Sequence, residues 1–407
     1  MSVPGSQLLL LVHRMPYPPN KGDKLRSYHL LRHLQRRHRV FLGCFVDDPE
    51  DERWIPELRA ICPDLFVRPL SKRQAAWRSL RGLLRGESLT QSAYEDAPMH
   101  EWVQQTCATH RIDASVVFCS SMAAYAPPQL PWLIDFVDLD SAKWTQFGQV
   151  RLPPLAWVYR LEGRRLLQLE RQLAAQAQAS FFATNQELRA FETLAPECRG
   201  RAEVLRNGVD AEHYAPNPGL ANPFRSDELP LVFTGSMNYW PNVDAVRWFV
   251  QDMLPELRRR WPALRLYIVG REPNRSVRAL AGEAVEVTGS VPDVRPYLQH
   301  ARLVLAPMRY ARGIQNKILE AMAMAQTVVC TEACAQPVTG GKAGLLPTGS
   351  DAEGFIARIN ELLRLSEPER RALGARARQF VIDQCTWAQG FHPLDRALVQ
   401  LQGARPC

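Results

Sequence analysis

Residues 306–331 read APMRYARGIQNKILEAMAMAQTVVCT, and this stretch decides the fold. The apolar run 303–306 that leads into it predicts a buried parallel strand, which Pro307 ends. A polar turn with Gly313 follows. Residues 316–324 predict a helix that packs through Ile318, Leu319, Met322 and Ala323. Residues 327–330 predict the next strand. A strand, glycine turn, helix and strand in succession leave helix N-terminal N–H groups and nearby cations where an anionic ligand sits. The candidates are Arg312, the backbone of Gly313 and Ile314, Lys317 and Glu320. Arg312 can hold two phosphate oxygens as a fork, and Lys317 is a mobile point charge. Glu320 lies about one turn from Lys317, so both can face one ligand. A carboxylate there suits a hydroxyl pair such as a ribose rather than a phosphate. Cations for a diphosphate and an acid for a ribose spell a nucleotide. The plainer reading is an ordinary surface ion pair between Lys317 and Glu320, worth little.

The same grammar runs outward through the second half. Residues 231–237, LVFTGSM, are a strand entering a glycine turn with Gly235, Ser236 and, just beyond, Asn238. Residues 242–257 predict a helix. Residues 264–270, LRLYIVG, are a strand that ends at Gly270 and Arg271. Residues 285–289 are the next strand, followed by Val291, Pro292 and Asp293. Successive strands that end in glycine or proline turns at one edge predict a doubly wound parallel sheet, with a nucleotide-sized cleft on its carboxyl side.

The first half alternates strands and helices too. Strands are expected at 8–12, 40–46, 115–119, 132–137 and 181–185, and a helix at 25–35. Gly22 sits in a loop, residues 20–26, that enters this helix. One glycine without G-x-G-x-x-G is no dinucleotide fingerprint. The loop reads equally as a cleft lining or as a plain strand-to-helix turn. Asp138 follows a strand end, where reactive groups gather in open parallel sheets. With Asp140 it forms a short D-x-D, a weak metal signature, and it also reads as a helix cap. We take Asp138 as a site residue without metal. Residues 207–210, NGVD, make a tight turn, and residues 216–223 are rich in proline and asparagine, which places a domain boundary here.

Composition bounds the class. The chain has 407 residues, 46% hydrophobic and 23% charged, enough for two globular domains. Its nine cysteines are scattered without metal-ligand spacing, so free thiols in a reducing cytoplasm are expected. The apolar run at 8–12 is too short for a signal or a spanning helix. A net charge of +8 favours anionic partners. Residues 71–86, SKRQAAWRSLRGLLRG, carry five bases and no acid, with Trp77, Leu80, Leu83 and Leu84 at helical spacing. Residues 152–175 form a second basic helical segment with Trp157. Basic amphipathic helices with an interfacial tryptophan suit an anionic membrane surface, although a solvated helix packed by one stripe is the commoner case. Neither segment interleaves aromatics and bases as a nucleic-acid groove does, so nucleic acid is not an expected partner.

Read together, PPNKGDKLR at 18–26, DFVDLDSAKW at 135–144, NGVD, FTGSMNYWPN at 233–242, LRLYIVG, VTGSVPDVRPYL at 287–298 and RGIQNKILEAMAM at 312–324 resemble the retaining glycosyltransferases of family 4. Within that family they are similar to sugar transferases linked to bacterial exopolysaccharide loci. Cys385-Thr386-Trp387 resembles the family's aromatic landmark before a last helix that returns to the N-terminal domain. The resemblance implies the GT-B fold, two Rossmann-like α/β domains facing a cleft: an acceptor domain at 1–205, a donor domain at 206–385 and a returning helix at 386–407. It implies a nucleotide-diphosphate sugar as donor, a glycan or lipid-linked acceptor, retention at the anomeric carbon and no metal or other cofactor. The base falls near Val291, Pro292 and Asp293, the ribose on Glu320, and the diphosphate on Arg312, Lys317 and the Gly235-Ser236 turn. The expected place is the cytoplasm, peripheral on the inner face of the plasma membrane.

The chain departs from the family in four places, the mildest being Ala325 and Thr327 where the family usually has Gly and Pro. The family's first glutamate of a pair is Arg312 here. The Arg and Lys usual after the first strand of the donor domain are replaced by Met237-Asn238-Tyr239-Trp240. The N-domain histidine is missing, and the matching region offers Asp138. Two other readings stay open: a sugar-nucleotide epimerase on the same fold, and a non-catalytic nucleotide-binding scaffold.

Overall fold

The structure is a computed structural model that describes residues 6–149, 152–311, 313–340, 342 and 344–403. Its contacts divide the chain into two compact units, one of Met1–Arg206 with Phe391–Cys407 and one of Asn207–Gly390.

The first unit is built on seven strands: β1 (Gln7–Val12), β2 (Arg39–Val46), β3 (Leu65–Pro69), β4 (Ala114–Phe118), β5 (Trp132–Val137), β6 (Ala179–Phe182) and β7 (Ala202–Val204). They pair in the order β3-β2-β1-β4-β5-β6-β7, every neighbour parallel. Leu9 of β1 stands opposite Phe41 on one side and Ser115 on the other. Central strands of such sheets are covered on both faces, so β1 is a continuous apolar run with its last five residues buried. The helix His392–Gly403 belongs to this unit, where Asp395 pairs with His33 at 2.8 Å.

The second unit holds five strands: β8 (Leu229–Thr234), β9 (Leu264–Val269), β10 (Val285–Gly289), β11 (Leu303–Ala306) and β12 (Val328–Cys330). The order is β10-β9-β8-β11-β12, again all parallel. Chain order runs outward from β8 on one side and from β11 on the other. The carboxyl ends of β8 and β11 therefore flank the topological switch point, where open α/β sheets bind ligands.

Three expectations need correction. The first helix runs Gly22–Leu34, so Gly22 is its first residue and not part of a loop before it. A Cβ on Gly22 would touch nothing within 4 Å, so no close approach demands glycine there. The early start has a cause: Lys24 and Arg26 are drawn inward to buried partners. Lys24 Nζ meets Asp51 at 2.5 Å, and Arg26 forks onto Asp135 at 2.7 Å while donating to the Leu205 carbonyl. The expected helix at 242–257 is two helices, Trp240–Asp252 and Leu254–Arg260, because Pro255 has no N–H to continue the ladder. The basic helix Lys72–Leu84 buries only Gly82, and Trp77, Leu80 and Leu84 are exposed. It is held instead by polar contacts: the Arg165 guanidinium, from the helix Leu155–Gln176, donates to the carbonyls of Leu83 and Glu87.

Candidate functional site

The switch point is shaped by two glycines. A Cβ on Gly270, which follows β9, would lie 1.7 Å from the Gly235 carbonyl oxygen, so the turns after β8 and β9 pack backbone against backbone. A Cβ on Gly235 would lie 2.7 Å from Asn242 Nδ2 and 3.1 Å from Lys317 Nζ. Glycine thus gives Lys317 its room.

Lys317 comes from the second position of the helix Asn316–Ala323, which follows β11. Its Nζ donates to Asn242 Oδ1 at 2.7 Å and lies 4.1 Å from the centre of the Phe233 ring. Asn242 is buried and is itself fixed by donating to the Ser236 carbonyl at 2.9 Å. Lys317 has no carboxylate at ion-pair distance among the described residues. Burial lowers its pKa to about 7, against the weaker opposing pull of Cys334 and Glu320. Burial likewise raises Glu320 to about 7, although Lys317 and a hydrogen bond from the Tyr214 hydroxyl favour the charged form. Gln315, at the N-cap, makes no side-chain hydrogen bond to the start of this helix. Thr234 Oγ1 and Asn316 Oδ1 are buried without a hydrogen-bond partner among the described residues. The electropositive start of a helix with unsatisfied polar atoms beside it is suited to an oxyanion.

The other sequence candidates sort by place. Gly235, Ser236, Asn238, Gly270, Arg271, Gly313, Ile314, Lys317 and Glu320 all belong to the carboxyl ends of β8, β9 and β11 or to the helix that follows. Ser236 Oγ donates to Asn238 Oδ1 at 2.9 Å, and Asn238 donates to Glu272. Arg271 is half-buried and makes no ion pair among the described residues. Gly313 has a φ of +65°, which its lack of a Cβ permits. Arg312 lies outside the described residues. Val291, Pro292 and Asp293 follow the edge strand β10, two strands from β8. Asp293 is occupied structurally: it caps the Arg295 N–H at 2.9 Å and pairs with the guanidinium at 2.7 Å. Burial pushes Asp293 up, but those bonds to Arg295 leave it below its usual range. Arg295 also donates to the His213 carbonyl, which sets this loop beside Tyr214.

In the first unit, Asp138 follows β5 on a strained turn. Its N–H bonds to the Phe136 carbonyl at 2.9 Å across Val137, whose φ is +68°, a left-handed value that a β-branched residue resists. Asp138 and Asp140 share the Lys143 ammonium, at 3.4 and 3.0 Å. The sequence reading missed a second cluster at this sheet edge. Arg14 bridges Asp23 at 2.8 Å and Asp47 at 2.7 Å, and His13 Nε2 lies 3.5 Å from Asp23. Burial would raise Asp23, but His13 and Arg14 hold it well below the usual carboxylate range. The available signal was a His-Arg pair at the carboxyl end of β1. Tyr214 and Asn242 were missed as well. Their sequence neighbourhoods carry no motif for the contact each makes.

Comparison with known proteins agrees with this fold. Residues 228–365 match the family model described as Glycosyl transferases group 1. The GDP-mannose-dependent alpha-(1-6)-phosphatidylinositol monomannoside mannosyltransferase of Mycolicibacterium smegmatis is 29% identical over 210 residues, 46% of this chain. The match spans 53% of that relative's length. Among solved structures, sucrose-phosphate synthase from Thermosynechococcus elongatus superposes with a TM-score of 0.69 at 16% identity, covering 98% of this chain and 100% of that one. HepE from Anabaena, solved with UDP, gives 0.65 at 15% identity over 97% of this chain and 100% of that one. These identities speak for the fold. With two parallel-sheet α/β units and the matched segment spanning the switch point, the chain has the GT-B fold, and its residues 228–365 are similar to group 1 glycosyltransferases.

Proposed function

We propose that the chain is a glycosyltransferase that moves a sugar from a nucleotide-diphosphate sugar to a hydroxyl of a glycan or lipid-linked acceptor. The observation that carries this reading is Lys317: a half-buried ammonium with no carboxylate at ion-pair distance among the described residues, at a helix start that the Gln315 side chain does not cap, one turn from the Glu320–Tyr214 pair. A diphosphate supplies the missing counter-charge, and Glu320 accepts from the ribose hydroxyls. When the bond between the anomeric carbon and the diphosphate breaks, negative charge grows on the leaving oxygen. Lys317, Arg271, Arg312 and the helix N–H groups stabilise it in place. The acceptor oxygen attacks from the same face and its proton passes to the departing phosphate, so configuration is retained. Asp138, fixed by Lys143, is assigned to the acceptor or the transferred sugar. The exposed apolar and basic helices of the first unit fit a lipid-linked acceptor at an anionic membrane, with exopolysaccharide or another surface glycan as product.

HepE was solved with UDP, and the mycobacterial relative is named for GDP-mannose, so UDP and GDP are the first nucleotides to test. Calorimetry is expected to show one of them binding, and both Lys317→Ala and Glu320→Ala to weaken it at least about tenfold, or roughly 1.4 kcal/mol. Binding that ignores both changes would remove the site assignment.

A further inference from the structure

The proposed donor site leaves its sugar without a contact. Eight residues before Glu320, where the family resemblance puts a glutamate on the donor sugar, this chain has Arg312. The second unit offers something else close by. Its exposed large apolar side chains, among the described residues, are Tyr239, Trp240, Tyr310 and Ile382. Three of these four gather at the switch point. Tyr239 and Trp240 lie on the loop and helix start after β8, and Tyr310 on the loop after β11. The Trp240 and Tyr310 rings are 4.8 Å apart at 52°, and each side chain is 51% exposed.

Their position is fixed from below. Trp240 opens the helix that carries Asn242, the residue bonded to Lys317. Arg309, next to Tyr310, forks onto Asp244 of that helix at 3.0 and 2.6 Å, and its guanidinium lies 5.1 Å from the centre of the Trp248 ring. One helix therefore holds both the aromatic pair and the partner of the Lys317 ammonium. Aromatic surface left in water forgoes the free energy of burial, and a grouped apolar patch marks a binding site more often than scattered residues do. Beside an anion site, the matching ligand has a charged end and an apolar face. A pyranose attached to a diphosphate is such a ligand, because its C–H groups form an apolar face and its hydroxyls a polar rim.

We infer that Trp240 and Tyr310 form a stacking platform for the pyranose ring of the donor, taking by ring contact the part of the substrate that a carboxylate would otherwise read through its hydroxyls. The platform selects for sugars that present an uninterrupted face of C–H groups. It rests on the nucleotide-sugar reading above, and the test separates the two. UDP, UDP-glucose, GDP and GDP-mannose are titrated into the full chain and into Trp240→Ala, Tyr310→Ala and Trp240→Phe. The expected result is a loss of about tenfold in affinity for the nucleotide sugar in each alanine variant, with the free nucleotide changed by less than about twofold. Trp240→Phe is expected to keep most of the affinity, and thermal melts of all three variants to match the wild type, since both side chains are half in solvent. An equal loss for nucleotide and nucleotide sugar would mean that the rings stack on the base and would overturn the platform. No loss for either ligand would overturn it as well. Wild type that binds none of the four ligands is a different failure, since it removes the donor site together with the platform.

Discussion

Lys317 and Glu320 are each charged at a cost to the folded protein. The folded pKa of Lys317, about 7, lies below its ordinary 10.5, so the unfolded chain binds more protons between those values and stability rises with pH across that window. The folded pKa of Glu320, about 7, lies above its ordinary 4.5, so the folded chain binds more protons between 4.5 and 7 and stability falls as pH rises there. The contribution of the pair to stability is therefore lowest near pH 7. Nucleotide binding has the opposite profile, because it needs the ammonium charged and the carboxylate ionised. Affinity for the nucleotide diphosphate is expected to peak near pH 7 and to fall on both sides when measured by calorimetry from pH 5.5 to 8.5. Glu320→Gln should remove the acid limb, and Lys317→Arg should carry the alkaline limb beyond the range. Lys317→Met should do two things together: abolish binding and raise the melting temperature of the ligand-free protein, by about 2–4 °C for each kcal/mol of desolvation relieved. A flat affinity profile, or a destabilised Lys317→Met, would contradict this account.

The helix Asn316–Ala323 is positioned by another element, the helix Glu367–Gln384. Gly374 of that helix packs so closely that a Cβ would lie 1.9 Å from the Ala325 carbonyl oxygen. Ala325 itself has a φ of +56°, a left-handed helix end where glycine is the usual residue. One turn on from Gly374, Arg378 donates to the carbonyls of Ala323, Tyr214 and Ala211. A single guanidinium thus ties the end of the helix that bears Lys317 and Glu320 to the segment that bears Tyr214. Arg378→Met leaves those carbonyls without their donor and is expected to cost about 1–3 kcal/mol in urea denaturation. It should also weaken nucleotide binding, and Arg378→Lys should restore part of both. This contact shows where the sequence stops being informative. The strand, glycine turn, helix and strand around residue 316 were legible because apolar spacing repeats locally, and the inward set Ile318, Leu319, Met322 and Ala323 is buried. Arg378 reaches a carbonyl 164 positions away, and no periodicity encodes such a partner. Lys24 and Arg26 misled for the same reason. They look like the charged lip of a loop, and only the fold reveals Asp51 and Asp135 as their buried partners.

Across the whole molecule, exposed apolar surface is unevenly placed. Eight of the fourteen exposed large hydrophobic side chains among the described residues fall between Trp77 and Leu161, all in the first unit. Trp77 is 69%, Leu84 84% and Trp157 65% exposed. Lys72, Arg73 and Arg81 stand on the same helix as Trp77, with Arg85 just past its end, and Arg160 and Arg164 on that of Trp157, all open to solvent. The two helices are neighbours, since Arg165 bonds the end of the first and Glu162 accepts from Ser88, Leu89 and Thr90 just after it. No helix among the described residues is long and apolar enough to cross a membrane. Tryptophan and leucine flanked by bases are instead the composition of a helix lying in the plane of an anionic interface. Each base near such a surface contributes about 1 kcal/mol, an attraction that salt screens, whereas buried apolar area is indifferent to moderate salt. The two terms can therefore be told apart. Cosedimentation with vesicles of phosphatidylcholine containing phosphatidylglycerol is expected to capture the protein, and pure phosphatidylcholine to capture far less. Raising sodium chloride from 0.1 to 0.5 M should weaken capture, and Trp77→Ser with Leu84→Ser and Trp157→Ser should weaken it at both salt concentrations. Because those three side chains are already exposed, the triple variant should keep its nucleotide affinity and its melting temperature. Capture that ignores the triple change would move the attraction to charge alone, and no capture on anionic vesicles would leave this face to some other partner.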